Sequence, residues 1–309
     1  MIKINTHDND VVKKVFKNFN FPKKDSHKGE NGRILIIGGS SLFHSAVLWS
    51  AETASYFVDL VHFSSTKENE KIFLNLKTKF RNGIVIKKEN LDDYIKEDDV
   101  VLVGTGMVRK TISNIKYQIS NIFKNYNDLI TKIKYEAEYT YFLTKYLIDN
   151  YPEKKIVFDA GSIQMMNKDW LLNLKTTPII TPHQKEFENL FKIKIANLSI
   201  EEKAKIVRET AKKYKITILL KAIKDIVSDG ESIYIIDGGN QGLTKGGTGD
   251  VLASLASCFY VKNNCLDSAI FASILLKKTS DELFKDYGYW YNINILINRL
   301  PQTLKNILL

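Results

Sequence analysis

Five glycines fall within the eleven residues from Gly239 to Gly249, and the run passes through Thr248 into a single carboxylate, Asp250, at the head of an apolar stretch ending near Val261. Glycines let backbone N–H groups approach a ligand closely. A helix beginning here would aim its unpaired N–H groups and the positive end of its dipole at the same point, which favours an anion. A lone carboxylate beside a bound phosphate serves better as proton acceptor for an attacking hydroxyl than as a phosphate ligand, so the loop suggests phosphoryl transfer. A glycine cap, a turn and a capping Asp would explain less, because Thr248-Gly249-Asp250 supplies both a hydroxyl and a carboxylate where capping needs one. The loop is not a Walker motif, which requires Gly-Lys-Ser/Thr directly at the helix start.

Such a loop needs a scaffold that brings several strand ends to one place. Short apolar runs recur at Ile34 to Ile37, Leu60 to Phe63, Gly83 to Ile86, Val100 to Val103, Ile156 to Phe158, Pro178 to Ile180, Ile216 to Leu220, Ile226 to Ser228 and Ile233 to Ile236, with longer helix-like stretches between them. Runs that are apolar throughout belong to a parallel sheet covered on both faces by helices. Several end in glycine, polar or charged residues, and an open α/β sheet binds its ligands beyond the carboxyl ends of its strands. From Arg109 to Lys155 no strand is evident. That segment carries Tyr117, Tyr126, Tyr135, Tyr139, Tyr141 and Tyr146, and the spacing of Ile119, Ile122, Phe123, Leu129, Ile130 and Ile133 predicts one or two amphipathic helices, read as a crossover hairpin.

At 309 residues and 44% apolar composition the chain can bury a substantial core. No run of eighteen apolar residues and no signal-peptide core at the amino terminus are evident, so a cytoplasmic protein without membrane contact is expected. Cys258 and Cys265 stand apart from any Cys-x-x-Cys or Cys/His pattern and read as packed free thiols. The formal charge of +10 comes from lysines scattered along the chain, including Lys154-Lys155 and Lys277-Lys278, and reads as solvated faces; no nucleic-acid partner is expected. Neither Gly38-Gly39 nor Gly104-Thr105-Gly106 forms a Gly-x-Gly-x-x-Gly dinucleotide fingerprint.

Six motifs follow one another in order: Ser26-His27-Lys28-Gly29 with Gly32 to Ser40, Val103 to Met107, Phe158-Asp159-Ala160-Gly161, Ile180 to Phe187, Leu220-Lys221-Ala222, and the Gly239 to Leu252 loop. The series resembles the NAD(P)H-hydrate dehydratase family over roughly residues 26 to 285. The resemblance implies an α/β, ribokinase-like three-layer fold with a central, mostly parallel sheet flanked by helices. It implies residues 1–25 as an N-terminal arm and 26–309 as one domain, with 110–154 a helical insertion. The implied activity is ADP- or ATP-dependent dehydration of hydrated NAD(P)H back to NAD(P)H, by phosphorylation of the hydrate hydroxyl and elimination of phosphate, with Mg²⁺ as cofactor. Asp250 would be the base, and Gly246, Gly247, Thr248 and Gly249 the anion hole. Ala46, Gly106, His183 and Asp250 would meet the hydrated cofactor. Lys221, Ala222, Ile223, Lys224, Asp225, Asn240, Gly242 and Gly249 would meet the adenine nucleotide. Lys221 closes an apolar strand, where a charge needs a partner, and a phosphate is the expected one. His183 could instead cap a helix, and Glu186 could complement that helix's dipole or meet Mg²⁺ through water.

The family's Tyr-x-Gly-Ala is here Phe43-His44-Ser45-Ala46, its Asp-Ala-Asp is Asp159-Ala160-Gly161 with Gln164 where Asn is common, and its Gly-Pro-Gly is Gly104-Thr105-Gly106. The family's epimerase partner, often fused ahead of this domain, is expected as a separate protein, and a homo-oligomer is expected. The alternative is a ribokinase-like kinase acting on a vitamin alcohol of hydroxyethylthiazole, hydroxymethylpyrimidine or pyridoxal type, which needs a similar glycine loop and base. A bacterial or archaeal chain of this kind resembles the ADP users.

Overall fold

The computed structural model describes residues 1–109, 133 and 135–309. Ten strands among them form one sheet: β1 (Ile2–Asn5), β2 (Arg33–Ile37), β3 (Leu60–Ser64), β4 (Ile84–Val85), β5 (Val100–Val103), β6 (Lys155–Phe158), β7 (Ile179–Ile180), β8 (Thr217–Leu220), β9 (Asp225–Ser228) and β10 (Ile233–Asp237). Their order is β1-β10-β9-β8-β7-β6-β5-β2-β3-β4. Strand β9 runs antiparallel to both of its neighbours, and the other pairs are parallel. The carboxyl ends of every strand except β9 therefore share one edge, and β9 begins there.

Period-two alternation sorts the strand side chains onto two faces. Ile34, Ile36, Val100 and Leu102 join one core, whereas Leu35, Ile37, Val101 and Val103 join the other. The first core is covered by helices α1 (Asn9–Val15), α2 (Ser45–Ala54), α3 (Lys67–Asn75), α9 (Thr248–Tyr260), α10 (Cys265–Tyr287) and α11 (Ile293–Leu308). The second is covered by α4 (Leu91–Glu97), α5 (Glu136–Asn150), α6 (Ala160–Met165), α7 (Gln184–Phe191) and α8 (Ile200–Tyr214). Helices on both faces explain why the strands read as continuous apolar runs.

All nine strands expected from those runs are present. The expected arm over residues 1–25 is corrected: Ile2–Asn5 pairs in parallel with β10 at the edge of the sheet, and Val12 and Phe16 are buried in the first core. Within the expected insertion, residues 136–150 form α5, whose Tyr141, Leu143 and Leu147 are core residues of an ordinary crossover helix. The helices expected over Ile119 to Ile133, and Tyr117 and Tyr126, fall almost wholly outside the described residues. Cys258 and Cys265 are free, as expected. No described helix is long and apolar enough to cross a membrane.

Candidate active site

The strand order reverses between β2 and β5, and at such a switch point the connections diverge and leave a crevice. The turn Gly38-Gly39 after β2 and the turn Gly104 to Met107 after β5 meet there, with Gly39 N–H donating to the Thr105 carbonyl at 2.7 Å. A Cβ placed on Gly106 would lie 2.9 Å from Ala46 Cβ and 3.3 Å from the Phe43 carbonyl oxygen, so only glycine admits this approach. Ala46 in turn is tied to the glycine loop. Ser50 Oγ donates to the Ala46 carbonyl at 3.0 Å and to the Asp250 carbonyl at 3.4 Å, and Ser254 Oγ donates to the Ser50 carbonyl at 2.7 Å. Helices α2 and α9 are thereby clamped together, with Ala46 against Gly106 and Ser50 against the Asp250 backbone.

Gly247 caps α9 with φ of 104°, a left-handed conformation that turns the chain abruptly into the helix. Asp250 then sits in the first turn. A Cβ on Gly246 would meet nothing within 4 Å, and one on Gly249 would meet only the Lys221 side chain, with Nζ at 3.5 Å. These glycines leave open space between the helix start and the Lys221 ammonium. Thr248 Oγ1 is buried beside it and has no hydrogen-bond partner among the described residues. Where an anion hole is expected, a gap lies between the start of α9 and the Lys221 ammonium.

The electrostatics centre on Lys221, at the carboxyl end of β8. Its Nζ lies 2.8 Å from Asp159 Oδ1, and Asp159 also accepts Thr181 Oγ1 at 2.6 Å. Burial would lower the Lys221 pKa, but the carboxylates of Asp159, Glu186 and Asp250 more than offset it and hold the ammonium above the ordinary lysine value. The same arrangement acts oppositely on Asp250. Burial, and then the negative charge of Asp159, push its carboxyl up to about 7; Lys221 and its own backbone N–H pull the other way, and Glu186 adds to the rise. One cation shared among three carboxylates leaves Asp250 near half-ionised at neutral pH, where a general base works well.

Asp159, which no local sequence signal marks as a site residue, is the direct partner of Lys221. The partner that Lys221 meets in the structure is thus a protein carboxylate, where a phosphate was expected.

His183 is the N-cap of α7. Its Nδ1 accepts the Glu186 N–H at 3.2 Å, and Glu186 Oε2 accepts the His183 N–H at 2.9 Å, which forms a reciprocal capping box. The capping role weighed for His183 is therefore present, while the half-exposed ring also stands beside the site through the bridge between His183 and Lys221. Glu186 Oε1 accepts Gln164 Nε2 at 2.7 Å, so both of its oxygens are engaged. Among the described residues no group of three or more His, Cys, Asp or Glu could hold a metal. This donor set does not fit a directly ligated Mg²⁺. Gly161, which departs from the Asp-Ala-Asp pattern, has no room for a carboxylate: a Cβ there would lie 2.6 Å from the Met107 carbonyl oxygen.

The residues expected at the nucleotide form a second cluster around a lysine that sequence reading assigned to the surface. Lys277, on α10, is 3% exposed. Its Nζ donates to the carbonyls of Ile223 at 2.8 Å, Gly238 at 3.3 Å and Ala222 at 3.4 Å, and lies 3.7 Å from Asp225 Oδ2. One ammonium thus fastens the β8–β9 turn to the loop after β10. Asp225 is 4% exposed, and its carboxylate accepts the Ala222 N–H at 2.9 Å and Ser273 Oγ at 2.7 Å. The Asp225 carboxylate therefore faces inward and holds the turn, which leaves only its backbone for the expected nucleotide contact.

Ile223 is 90% exposed at the tip of that turn. Lys224 pairs with Asp237 at 2.6 Å. Asn240 Oδ1 accepts the Gly242 N–H at 2.9 Å, and its Nδ2 donates to the Ser280 carbonyl at 2.8 Å. Beyond Asn240 a cleft of about 590 Å³ is lined by Phe284, Tyr289 and, from the first strand's end, Thr6 and His7.

A family model described as NAD(P)H-hydrate dehydratase matches residues 34–302. The chain is 30% identical over 289 residues to the bifunctional NAD(P)H-hydrate repair enzyme Nnr of Methanocaldococcus jannaschii, a match covering 91% of this chain and 50% of that protein. The chain spans about half the length of the first such relatives. It is 31% identical over 255 residues to the ADP-dependent (S)-NAD(P)H-hydrate dehydratase of Nitrosopumilus maritimus, covering 82% of this chain and 81% of that one. A solved ribokinase-like superfamily protein of Enterococcus faecalis superposes with a TM-score of 0.75 at 19% identity, over 100% of this chain and 96% of that one, which shows the fold.

Proposed function

This chain belongs to the NAD(P)H-hydrate dehydratase family, and we propose that it catalyses the ADP- or ATP-dependent dehydration of hydrated NAD(P)H back to NAD(P)H. The observation that carries the mechanism is Asp250, a carboxyl raised to about 7 at the start of α9, facing Lys221 across a gap that glycines keep open. With the hydrated ring against Ala46 and Gly106, Asp250 accepts the hydroxyl proton as its oxygen attacks the terminal phosphorus of the nucleotide. The new P–O bond replaces the bond to the departing nucleotide. The developing charge is met by the α9 N–H groups of the Gly246 to Gly249 turn, the Thr248 hydroxyl and Lys221. Phosphate then leaves with its bonding electrons, a ring proton is lost, and the dihydronicotinamide double bond returns.

On the nucleotide side, the backbone of Ala222 to Lys224, with Asn240 and Gly242, lines the edge that Lys277 holds in place. ADP is the favoured donor, in keeping with the similarity to the ADP-dependent dehydratase of Nitrosopumilus maritimus. Mg²⁺ accompanies the nucleotide phosphates in this reading and meets Glu186 only through water, and no step depends on it. An epimerase acting on the same metabolite, in this protein or another, completes the repair.

The test is incubation of the protein with hydrated NADPH, ADP or ATP and Mg²⁺ while the absorbance of reduced nicotinamide is followed. Nucleotide-dependent recovery of that chromophore is expected. No recovery, together with stable phosphorylation of a vitamin alcohol, would replace this reading with the kinase alternative.

A further inference from the structure

The reaction above needs a second proton acceptor. When phosphate leaves, the ring carbon beside the one that carried the hydroxyl must lose a proton, and by then Asp250 already holds the proton of that hydroxyl. The other carboxylates at these strand ends are committed. Asp159 is bound to Lys221 and Thr181, Glu186 to Gln164 and the His183 N–H, and Glu136 to the N–H and Oγ of Ser41. His183 is fixed in the wrong sense: its Nδ1 accepts the Glu186 N–H at 3.2 Å, which leaves the proton of the neutral ring on Nε2.

His44 is fixed in the opposite sense. Its Nδ1 lies 2.6 Å from Asn69 Oδ1. Asn69 is buried, and its Nδ2 donates to the Ser40 carbonyl at 3.3 Å and to Ser65 Oγ at 2.9 Å, while Ser65 Oγ gives its own proton to the Gly38 carbonyl at 2.6 Å. A carbonyl only accepts, so the amide nitrogen faces Ser40 and the amide oxygen faces His44. Nδ1 of His44 must therefore donate. In the neutral ring the lone pair is then on Nε2, at the ring edge away from Asn69.

The surroundings put this imidazole beside the substrate pocket. His44 is the N-cap of α2, two residues ahead of Ala46. The turn before it is held by Phe43 N–H donating to Ser40 Oγ at 3.0 Å and Ser40 N–H donating to the Phe43 carbonyl at 3.1 Å, and that carbonyl borders Gly106. Asn69 packs on Gly39, where a Cβ would lie 2.4 Å from its Nδ2, and Gly39 Cα in turn abuts Gly106. The half-buried ring thus stands next to the Gly106–Ala46 contact. We propose that His44 Nε2 takes the ring proton in the elimination step, with Asn69 as the positioning residue that holds its tautomer. The lone pair of the ring nitrogen expels phosphate, which leaves with the electrons of the C–O bond. The C–H bond beside the resulting iminium then breaks: its electrons form the carbon–carbon double bond, the nitrogen recovers its pair, and the proton passes to Nε2 and on to water. The proposal rests on the hydrated-cofactor reading above.

The test compares nucleotide consumption with recovery of the reduced-nicotinamide absorbance, using the whole chain with hydrated NADPH, ADP and Mg²⁺. In His44→Gln, which can still donate to Asn69 but takes no proton, recovery is expected to fall by about 10²-fold, and about ten times further than consumption. A phosphorylated hydrate then accumulates by phosphorus NMR, and deuterium on the carbon that loses its proton slows recovery several-fold. Asn69→Ala, which frees the tautomer, should show the same split to a smaller extent. In the wild-type chain, nitrogen NMR of His44 should report a protonated Nδ1 and a bare Nε2; the reverse tautomer overturns the proposal even where His44→Gln does not fold. Recovery and consumption that stay in step in His44→Gln, whether both fall or neither does, also overturn it. Those results leave the dehydration reading standing wherever the wild type restores the chromophore, and a wild type that restores none removes that reading and this proposal together.

Discussion

Two lysines, Lys221 partly buried and Lys277 fully so, organise the two ends of this site, and they do opposite things because their surroundings differ. Lys221 meets three carboxylates, Asp159 at 2.8 Å with Glu186 and Asp250 nearby; burial, and then the negative charge of Asp159, push the Asp250 carboxyl up to about 7. Lys277 meets one carboxylate and three backbone carbonyls, so its donors are used up inside the protein. The first cluster is electrostatically unfinished and ready for a proton. The second is closed, and its product is a shape: the β8–β9 turn held against the Gly238 to Gly242 loop. A buried lysine thus becomes reactive machinery or a rivet according to how many carboxylates share it.

The largest effect should come from the unfinished end. Asp250→Asn is expected to lower kcat by about 10²- to 10⁴-fold, the usual worth of a general base, with little change in nucleotide Kd measured by titration. The same variant carries a stability signature. The folded protein binds the Asp250 proton more tightly than the unfolded chain, so this stabilisation is complete below the ordinary carboxylate pKa of 3.8 and is lost as pH rises through about 7. Asp250→Asn should therefore gain stability relative to wild type above pH 7, by a few kcal/mol at most, in denaturant titrations run at several pH values.

Breaking the closed end should cost stability before chemistry. Lys277→Met strands Asp225 and three carbonyls, and removing one partner of a buried pair costs about 3–5 kcal/mol. Nucleotide KM should rise while kcat at saturating nucleotide stays within a few-fold, and adding Asp225→Asn should recover part of the lost stability. Lys221→Met sharpens the contrast, because it removes the one cation lowering the Asp250 pKa. Its acid limb in kcat/KM should move to higher pH, whereas Lys277→Met should leave the limb in place. The smallest effect belongs to the capping box. His183→Ala should cost about 1 kcal/mol, and His183→Asn should restore that stability without restoring KM for the hydrated cofactor, since only the ring reaches the site.

The elements were legible because both-face burial writes itself as continuous apolar runs, as in Arg33–Ile37 and Val100–Val103. Strand β1 escaped because Ile2-Lys3-Ile4-Asn5 is short and alternating, as suits an edge. Asp250 and its glycines were readable because a helix-start anion site is local in sequence. The charge network was not: Asp159 and Lys221 lie 62 residues apart, and only the parallel register of β6 and β8 on either side of β7 brings them together. Lys277 was misread because Lys277-Lys278 looks like a solvated pair, although it follows an apolar run from Ile270 to Leu276 that could have marked it as buried. Asp225 was assigned to ligand because sequence position shows proximity to a turn but not which way a carboxylate faces.

The central claim is that Asp250 is the proton acceptor and that burial, with the charge of Asp159, sets its pKa near neutrality. The pH dependence of kcat/KM for the dehydration, measured from pH 5 to 9 on wild type and Asp250→Asn, tests it most directly. The account predicts wild-type activity rising with pH to a plateau above an inflection near 7, and a variant with its activity largely gone and that limb absent. Full activity retained down to pH 5, or the same limb in an active Asp250→Asn protein, would contradict it.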